Sequence, residues 1–146
     1  MHKLLLKIVL LLSLSLSLMA GVSALAAPVS EQDTRDAQRV VKAQLDAFAA
    51  DDAEQAFSYA TDAIRAQFGT AAQFIRMVRG AYPVVYRPSA VVFLKPDAAD
   101  DALVQSVHLT DSSGTTWLAV YRLQRQSDNS WRIAGCVLVP YAGKTA

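Results

Sequence analysis

The spacing of apolar residues changes near Pro83, and this change constrains the fold more than any other feature of the sequence. Before Pro83, apolar side chains recur every three or four residues, which is the period of an amphipathic helix. After it, β-branched and aromatic residues form short runs divided by turn-forming clusters, which is typical of strands. Helices followed by strands predict an α+β fold, with N-terminal helices packed on one face of a curved antiparallel sheet.

Short polar side chains that can cap helices divide the N-terminal half into four predicted helices. The first helix carries an apolar stripe of Ala37, Val41, Leu45 and Phe48. The first helix is predicted to start at Ser30 and to end at Asp51-Asp52, where the second helix starts. The third is predicted to lie between Thr61 and Gly69, and the fourth between Thr70 and Gly80.

The C-terminal half is predicted to form an antiparallel meander. Val84 to Lys95 has strand composition, although Pro88 confines it to an edge or to the start of a strand. Pro96 to Asp101 is predicted to be an acidic loop. Three longer strand candidates follow, at 102–110, 115–126 and 131–141, and two turn-forming clusters separate them.

The side chains of these three strands fall on two faces once a register is assumed. Two four-residue loops would pair Thr110 with Thr115 and Gln126 with Trp131. One face, expected to lie under the helices, then collects Val107, Leu118, Val120, Ile133, Val137 and Val139. The opposite face collects Val104, Ser106, His108, Trp117, Ala119, Tyr121, Cys136 and Leu138.

The mixed composition of the second face predicts a contact surface, because interfaces use aromatic side chains with polar groups. Ser106, His108, Trp117 and Tyr121 are its candidate interface residues, and the predicted partner is a second copy of the chain. The alternative is that a loop or the chain terminus covers this face. A register error of one residue would exchange the two faces.

The first 26 residues are predicted to be a secretory signal peptide. Lys3 and Lys7 precede an apolar run, and Ala24-Leu25-Ala26 offers the small residues that signal peptidase requires, so cleavage is expected after Ala26. The alternative is an uncleaved membrane anchor. Residues 27–146 would then form a single periplasmic or secreted domain with no membrane contact after cleavage.

The charge of this domain argues against nucleic acid as a partner. Without Lys3 and Lys7, 14 − 2 = 12 basic residues face 13 acidic ones, a formal charge of −1. Nucleic-acid binding requires clustered Lys and Arg, and the sequence contains no such cluster.

Several segments of the chain resemble a bacterial family, the domain of unknown function 4864. The most specific segment is Tyr82-Pro83-Val84-Val85-Tyr86-Arg87-Pro88. The other segments include Gln67-Phe68-Gly69, Trp117 to Tyr121 and Ser130 to Cys136. That family is similar, more distantly, to nuclear-transport-factor-2-like α+β rolls, in which helices and a curved sheet enclose a conical cavity. The resemblance implies a fold and no activity.

The sequence offers few groups for catalysis, so no catalytic residue is assigned. The predicted strands contain no Asp or Glu, and His108 is the only histidine after residue 26. Cys136 lies about 16 Å from His108 in the assumed register, too far for a nucleophilic pair. No metal or cofactor signature is present.

Arg79, Tyr82, Tyr86 and Arg87 form the candidate ligand site, where the last predicted helix meets the first strand. Two guanidinium groups beside two phenols could hold a small anionic or aromatic ligand. The alternative is that the tyrosines fill the core and the arginines face water.

We therefore expect an exported, non-catalytic binding or interaction module. The alternative is a small-molecule isomerase or dehydratase that uses His108 and tyrosines inside a roll cavity.

Overall fold

A computed structural model describes residues 28–143, and the predicted signal segment lies outside them. The described chain has the predicted α+β architecture, with helices in its N-terminal half packed against a curved, unclosed antiparallel sheet. The helices are α1 (Glu31–Ala49), α2 (Ala53–Ser58), α3 (Asp62–Phe68), α4 (Ala71–Ala81) and α5 (Pro83–Tyr86). The strands are β1 (Ala90–Phe93), β2 (Asp97–Ala99), β3 (Ala102–Thr110), β4 (Thr116–Arg125) and β5 (Trp131–Pro140).

The predicted helix caps are confirmed. The side chains of Ser30, Asp52, Thr61 and Thr70 each accept a hydrogen bond from the backbone N–H three residues later, which satisfies a group that the helix leaves unpaired. Gly69 ends α3 with φ +78°, a conformation that a side chain would disfavour.

Three details of the predicted elements are wrong. Helix α4 continues through Gly80 to Ala81. Pro83 then begins the short helix α5, where the prediction placed a strand, and the strand β1 is only four residues long. The proposed acidic loop contains β2. Proline suits the first position of a helix because its missing N–H is not needed there.

The sheet has the order β1-β3-β4-β5, and β2 pairs with the same edge of β3 as β1 does. The meander of β3, β4 and β5 is confirmed. At the other edge, Ile133 of β5 exchanges two backbone hydrogen bonds with the segment before α3: Thr61 N–H donates to Ile133 O at 2.9 Å, and Ile133 N–H donates to Tyr59 O at 2.8 Å.

The predicted register between β3 and β4 is wrong by one residue. Thr110 pairs with Thr116 instead of Thr115, because the connecting turn holds five residues. The predicted pair Gln126–Trp131 is also wrong, because Trp131 pairs with Arg125. An irregularity at Arg122/Leu123 then restores the predicted register for the rest of β4 and β5. The helix-facing side of the sheet is therefore made by Leu103, Gln105, Val107, Leu109, Ala119, Tyr121, Leu123, Trp131 and Ile133, which are all buried.

The register error changes the predicted faces. Val107 and Ile133 face the helices as expected, but Leu118, Val120, Val137 and Val139 lie on the outer face, and Val137 is 62% exposed. The four candidate interface residues do not share a face. Ser106 and His108 lie on the outer face, whereas Trp117 and Tyr121 lie on the helix-facing side, where Tyr121 is buried.

Candidate ligand cavity between the helices and the sheet

A cavity of about 200 Å³ lies between the helices and the C-terminal strands. Helices α1, α3, α4 and α5 contribute its upper wall, and β4 and β5 contribute its floor. Most of the wall is apolar, and its large side chains are Phe48, Phe68, Phe74, Met77, Tyr82 and Tyr121. The lining residues, all within 28–143, include no Asp, Glu, Lys, Arg or His.

The hydroxyl group of Tyr121 is the unusual polar group of this cavity. Tyr121 is 1% exposed, and among the described residues its hydroxyl has no hydrogen-bond partner other than the thiol of Cys136, a weak hydrogen-bonding group. Burial raises the pKa of Tyr121 well above its ordinary value, and the neighbouring Cys136 adds to the shift, so the phenol stays neutral. A buried hydroxyl with no partner at all costs about 1–3 kcal/mol, and the weak bond to a thiol offsets only part of this. A ligand in the cavity that bonded to this group would recover part of that cost.

Cys136 lines the same cavity as a protonated thiol. Burial raises the pKa of Cys136 to about 12, although the adjacent Tyr121 hydroxyl acts in the opposite direction. Only a thiolate is a good nucleophile, and the thiolate is scarce at neutral pH. The paired residues Tyr121 and Cys136 therefore place two neutral polar groups side by side at the floor of the cavity, and Gln44 and Gln67 add neutral amides to its wall.

The opening of the cavity is indicated by the exposure of its lining residues. Gln67 of α3 is exposed, and Ile64, Phe68 and Met77 are half-buried, whereas Phe48 and Phe74 are buried. Gln44 is buried at the inner end, where its Nε2 donates to Ala56 O at 3.1 Å. A ligand would thus enter past α3 and the start of α4.

The predicted ligand site is arranged around Asp51, which sequence reasoning assigned only to the end of a helix. Arg87 Nη2 lies 2.9 Å from Asp51 Oδ2, and Arg79 Nη2 lies 3.8 Å from Asp51 Oδ1. Both guanidinium carbons lie over the ring of Tyr86, at 5.2 Å for Arg79 and 5.1 Å for Arg87. A carboxylate of the chain itself therefore occupies the position predicted for an anionic ligand.

The two tyrosines of that predicted site have different roles. Tyr86 is buried, with its ring 6.4 Å from that of Phe48. Tyr82 is half-buried between α4 and α5, and it lines both the cavity and a surface cleft of about 380 Å³ near Asp111, Trp117 and Leu138. Of the four predicted residues, Tyr82 alone reaches the cavity.

His108 lies outside the cavity. Its strand neighbours Val107 and Leu109 face the helices, so His108 points to the opposite side of the sheet. There its ring packs at a tilt against that of Tyr141, with the ring centroids 4.2 Å apart. The alternative isomerase or dehydratase hypothesis requires His108 beside a ligand in the cavity. The observed geometry does not provide this arrangement.

Sequence reasoning missed Tyr121, Phe48, Phe68, Phe74 and Met77 as cavity residues. Periodicity marked the last four as apolar helix positions, and the register error moved Tyr121 to the outer face.

Among residues 28–143, no cluster of three or more His, Cys, Asp or Glu side chains could hold a metal ion. No helix in the described part of the chain is long and apolar enough to cross a bilayer.

Comparison with known proteins gives a family and no activity. No curated protein matches the chain. The model of a family described as a domain of unknown function, DUF4864, matches residues 30–146, which is 117 of the 146 residues and includes the segments on which the resemblance was based. The more distant resemblance to nuclear-transport-factor-2-like rolls stays a prediction. The chain belongs to the DUF4864 family.

Proposed function

We propose that this protein is an exported, non-catalytic binding module that holds a small, uncharged, mainly apolar molecule in the cavity between its helices and its sheet. The observation that carries the proposal is a mainly apolar cavity, without charged lining residues, beside the buried hydroxyl of Tyr121, whose partner is only the Cys136 thiol. Ligand sites in proteins commonly combine apolar walls with a few polar groups that orient the ligand.

The composition of the wall limits the charge of the ligand. An ionised group placed in the cavity would lose its hydration and find no side chain of opposite charge. The neutral hydroxyl of Tyr121 and thiol of Cys136 offer one hydrogen bond each instead. The favoured ligand is therefore neutral and carries a single polar group, such as a carbonyl.

The volume of the cavity limits the size of the ligand. An engineered cavity of about 150 Å³ in another protein binds benzene. The cavity of about 200 Å³ in this protein thus has room for one aromatic or alicyclic ring with a short substituent.

Two neutral probes of similar shape test the proposal. Acetophenone carries a carbonyl group and isopropylbenzene does not, so both should raise the melting temperature but acetophenone should bind more tightly. Tyr121→Phe should remove the advantage of acetophenone, which we expect to be about tenfold in affinity. Benzoate, which is charged, should not bind.

Two variants serve as controls for this measurement. Tyr59→Phe removes a hydroxyl that bonds to Gln55 on the surface of α2, so it should leave both affinities unchanged. Met77→Trp should obstruct the opening and weaken both probes. The proposal is wrong if neither probe stabilises the protein at millimolar concentration, or if Tyr121→Phe preserves the preference for acetophenone.

Export is supported by the pattern of the first 26 residues alone. The basic start, the apolar run and Ala24-Leu25-Ala26 are the three parts of a signal peptide. When the full chain is expressed in a Gram-negative bacterium, we expect to recover the protein from the periplasm with Ala27 as its first residue. N-terminal sequencing that finds Met1 would contradict this part of the proposal.

A further inference from the structure

The outer face of the sheet carries an apolar patch that no described helix covers. Across the four strands, Val92, His108, Leu118 and Val139 form one continuous row, because Val92 pairs with His108, His108 with Leu118, and Leu118 with Val139. Val120 and Val137 pair with each other in the next row. We call these six residues the outer patch.

In the single chain, three of the six side chains of the outer patch are exposed, and those of His108, Leu118 and Val120 are half-buried. Val137 is 62% exposed, Val92 55% and Val139 43%, and Tyr141, whose ring packs at a tilt against His108, is 46% exposed. Single exposed valines are common on proteins, but valines adjoining across a sheet form a contiguous patch. Such patches usually mark a contact surface.

We infer that the outer patch is the interface between two copies of this chain. The patch has no Asp, Glu, Lys or Arg, so two patches can meet without burying an unpaired charge. The charged side chains of the outer face lie at one end, where Arg122 pairs with Asp101 at 3.0 Å. A mainly aliphatic surface, with the single imidazole of His108, can contact a second copy of itself, as a twofold contact requires.

The area of the outer face of the sheet is close to the area that a stable complex buries on each partner. Four strands at about 4.8 Å spacing and nine residues at about 3.3 Å give the whole outer face, charged end included, an extent of about 19 Å by 30 Å, or about 570 Å² in projection. The outer patch is the apolar centre of this face, and the charged end would form the polar rim of the interface. Stable complexes bury about 600–1,000 Å² on each partner, and the accessible area of a side-chain surface exceeds its projection. Two such sheets would pack face to face at about 10 Å.

This inference is independent of the proposed ligand. The cavity lies on the helix-facing side of the sheet, so a dimer formed through the outer patch leaves the opening near α3 free. Loss of the dimer should leave the binding of acetophenone unchanged, and Tyr121→Phe should leave the dimer unchanged.

Sedimentation velocity of the purified protein tests the inference. We expect the mass of two chains at about 10 µM, a concentration at which stable homodimers remain associated. Val137→Lys places a charge in the centre of the interface and should raise the dissociation constant at least about 100-fold, which gives the mass of one chain. Ala66→Lys adds the same charge on the exposed side of α3 and should stay dimeric.

A second substitution distinguishes loss of the dimer from misfolding, which the lysine substitution could also cause. Val137→Thr keeps the shape and the strand preference of valine but places a hydroxyl in the interface, so it should weaken the dimer about tenfold while the far-ultraviolet circular dichroism is unchanged. A wild-type protein with the mass of one chain at about 100 µM overturns the inference. A dimer that neither Val137 variant weakens also overturns it.

Discussion

Asp111 shows how one side chain sets the geometry of a turn and, through it, of a sheet. Its Oδ1 accepts hydrogen bonds from Ser113 N at 3.0 Å, Ser113 Oγ at 2.6 Å and Thr115 N at 3.0 Å, and its Oδ2 accepts from Trp117 Nε1 at 3.1 Å. These contacts favour a turn of five residues. The longer turn moves β4 by one position relative to the predicted register.

The hydrogen bonds to Asp111 predict a pH dependence of stability. The bonds from Ser113 and Trp117 lower the pKa of Asp111 to about 2, compared with about 3.9 in an unfolded chain. Because the folded pKa is lower, this contribution to stability is fully present above about pH 4 and disappears as the pH falls towards 2. Carbon-13 NMR should show the Asp111 carboxyl titrating near pH 2.

The substitution Asp111→Asn checks the same point by unfolding experiments. It should destabilise the protein at pH 7 and reduce the loss of stability between about pH 4 and pH 2, since the titrating group is gone. Asp46→Asn, on the exposed side of α1, is the control and should leave the β3–β4 turn intact. A carboxyl of Asp111 that titrates near pH 4 would contradict the assigned hydrogen bonds.

Tyr121 and Asp51 show which residue roles the sequence left undetermined. The strand pattern placed Tyr121 on a defined strand but on the wrong face, so its buried hydroxyl beside the cavity was not expected. Asp51 was recognised as the end of a helix, but its pairing with Arg87, 36 positions later, depends on the packing of α5. Neither contact is local in sequence.

At the scale of elements, local signals predicted the helices well and the strand faces poorly. Capping depends on residues within one turn of the helix, so Ser30, Thr61 and Thr70 could be assigned from the sequence. Strand β4 is apolar on both faces, with Leu118 and Val120 on one and Ala119 and Tyr121 on the other. Alternation alone therefore could not decide which face packs under the helices.

Helix α5 shows how tertiary packing overrides composition. Val84, Val85 and Tyr86 have strand preferences, yet all three are buried in a single helical turn that begins at Pro83. The turn places Tyr86 against Phe48 of α1 and beneath the guanidinium groups of Arg79 and Arg87. Burial of three large side chains outweighs a preference that is small per residue.

At the scale of the whole molecule, Asp33 connects the start of α1 with the far end of the sheet. Its Oδ1 accepts from Arg125 Nη2 at 2.7 Å and from Trp131 Nε1 at 3.3 Å. The Arg125 guanidinium also lies over the Trp131 ring at 4.5 Å. Burial alone would raise the pKa of Asp33, but hydrogen bonds from Arg125, Ser30 and Trp131 outweigh it and lower the pKa.

Asp33→Ala should lower the free energy of unfolding at pH 7 by about 1–2 kcal/mol, because it removes charge-assisted hydrogen bonds between α1 and two strands. The difference from wild type should shrink as the pH falls below about 4, where the protonated carboxyl no longer contributes. Urea unfolding at both pH values measures this.

Asp46→Ala is the matched control for that measurement. Among residues 28–143, the Asp46 side chain pairs only with Lys42, on the exposed surface of the same helix, so its removal should cost less than about 0.5 kcal/mol. Equal losses for the two variants would show that the contacts of Asp33 with the sheet contribute nothing to stability.

The sequence by itself determined the helical half, its caps, the three-stranded meander and hence the α+β class, because periodicity, turn chemistry and capping act over a few residues. Only the tertiary structure decided which side of the sheet is buried, since both sides of β4 are apolar and one residue in the β3–β4 turn exchanges them. It also brought together Tyr121, Cys136 and the aromatic residues of α1, α3 and α4, which lie far apart in the chain. The cavity and the outer patch exist because the helices cover one apolar face and leave the other exposed.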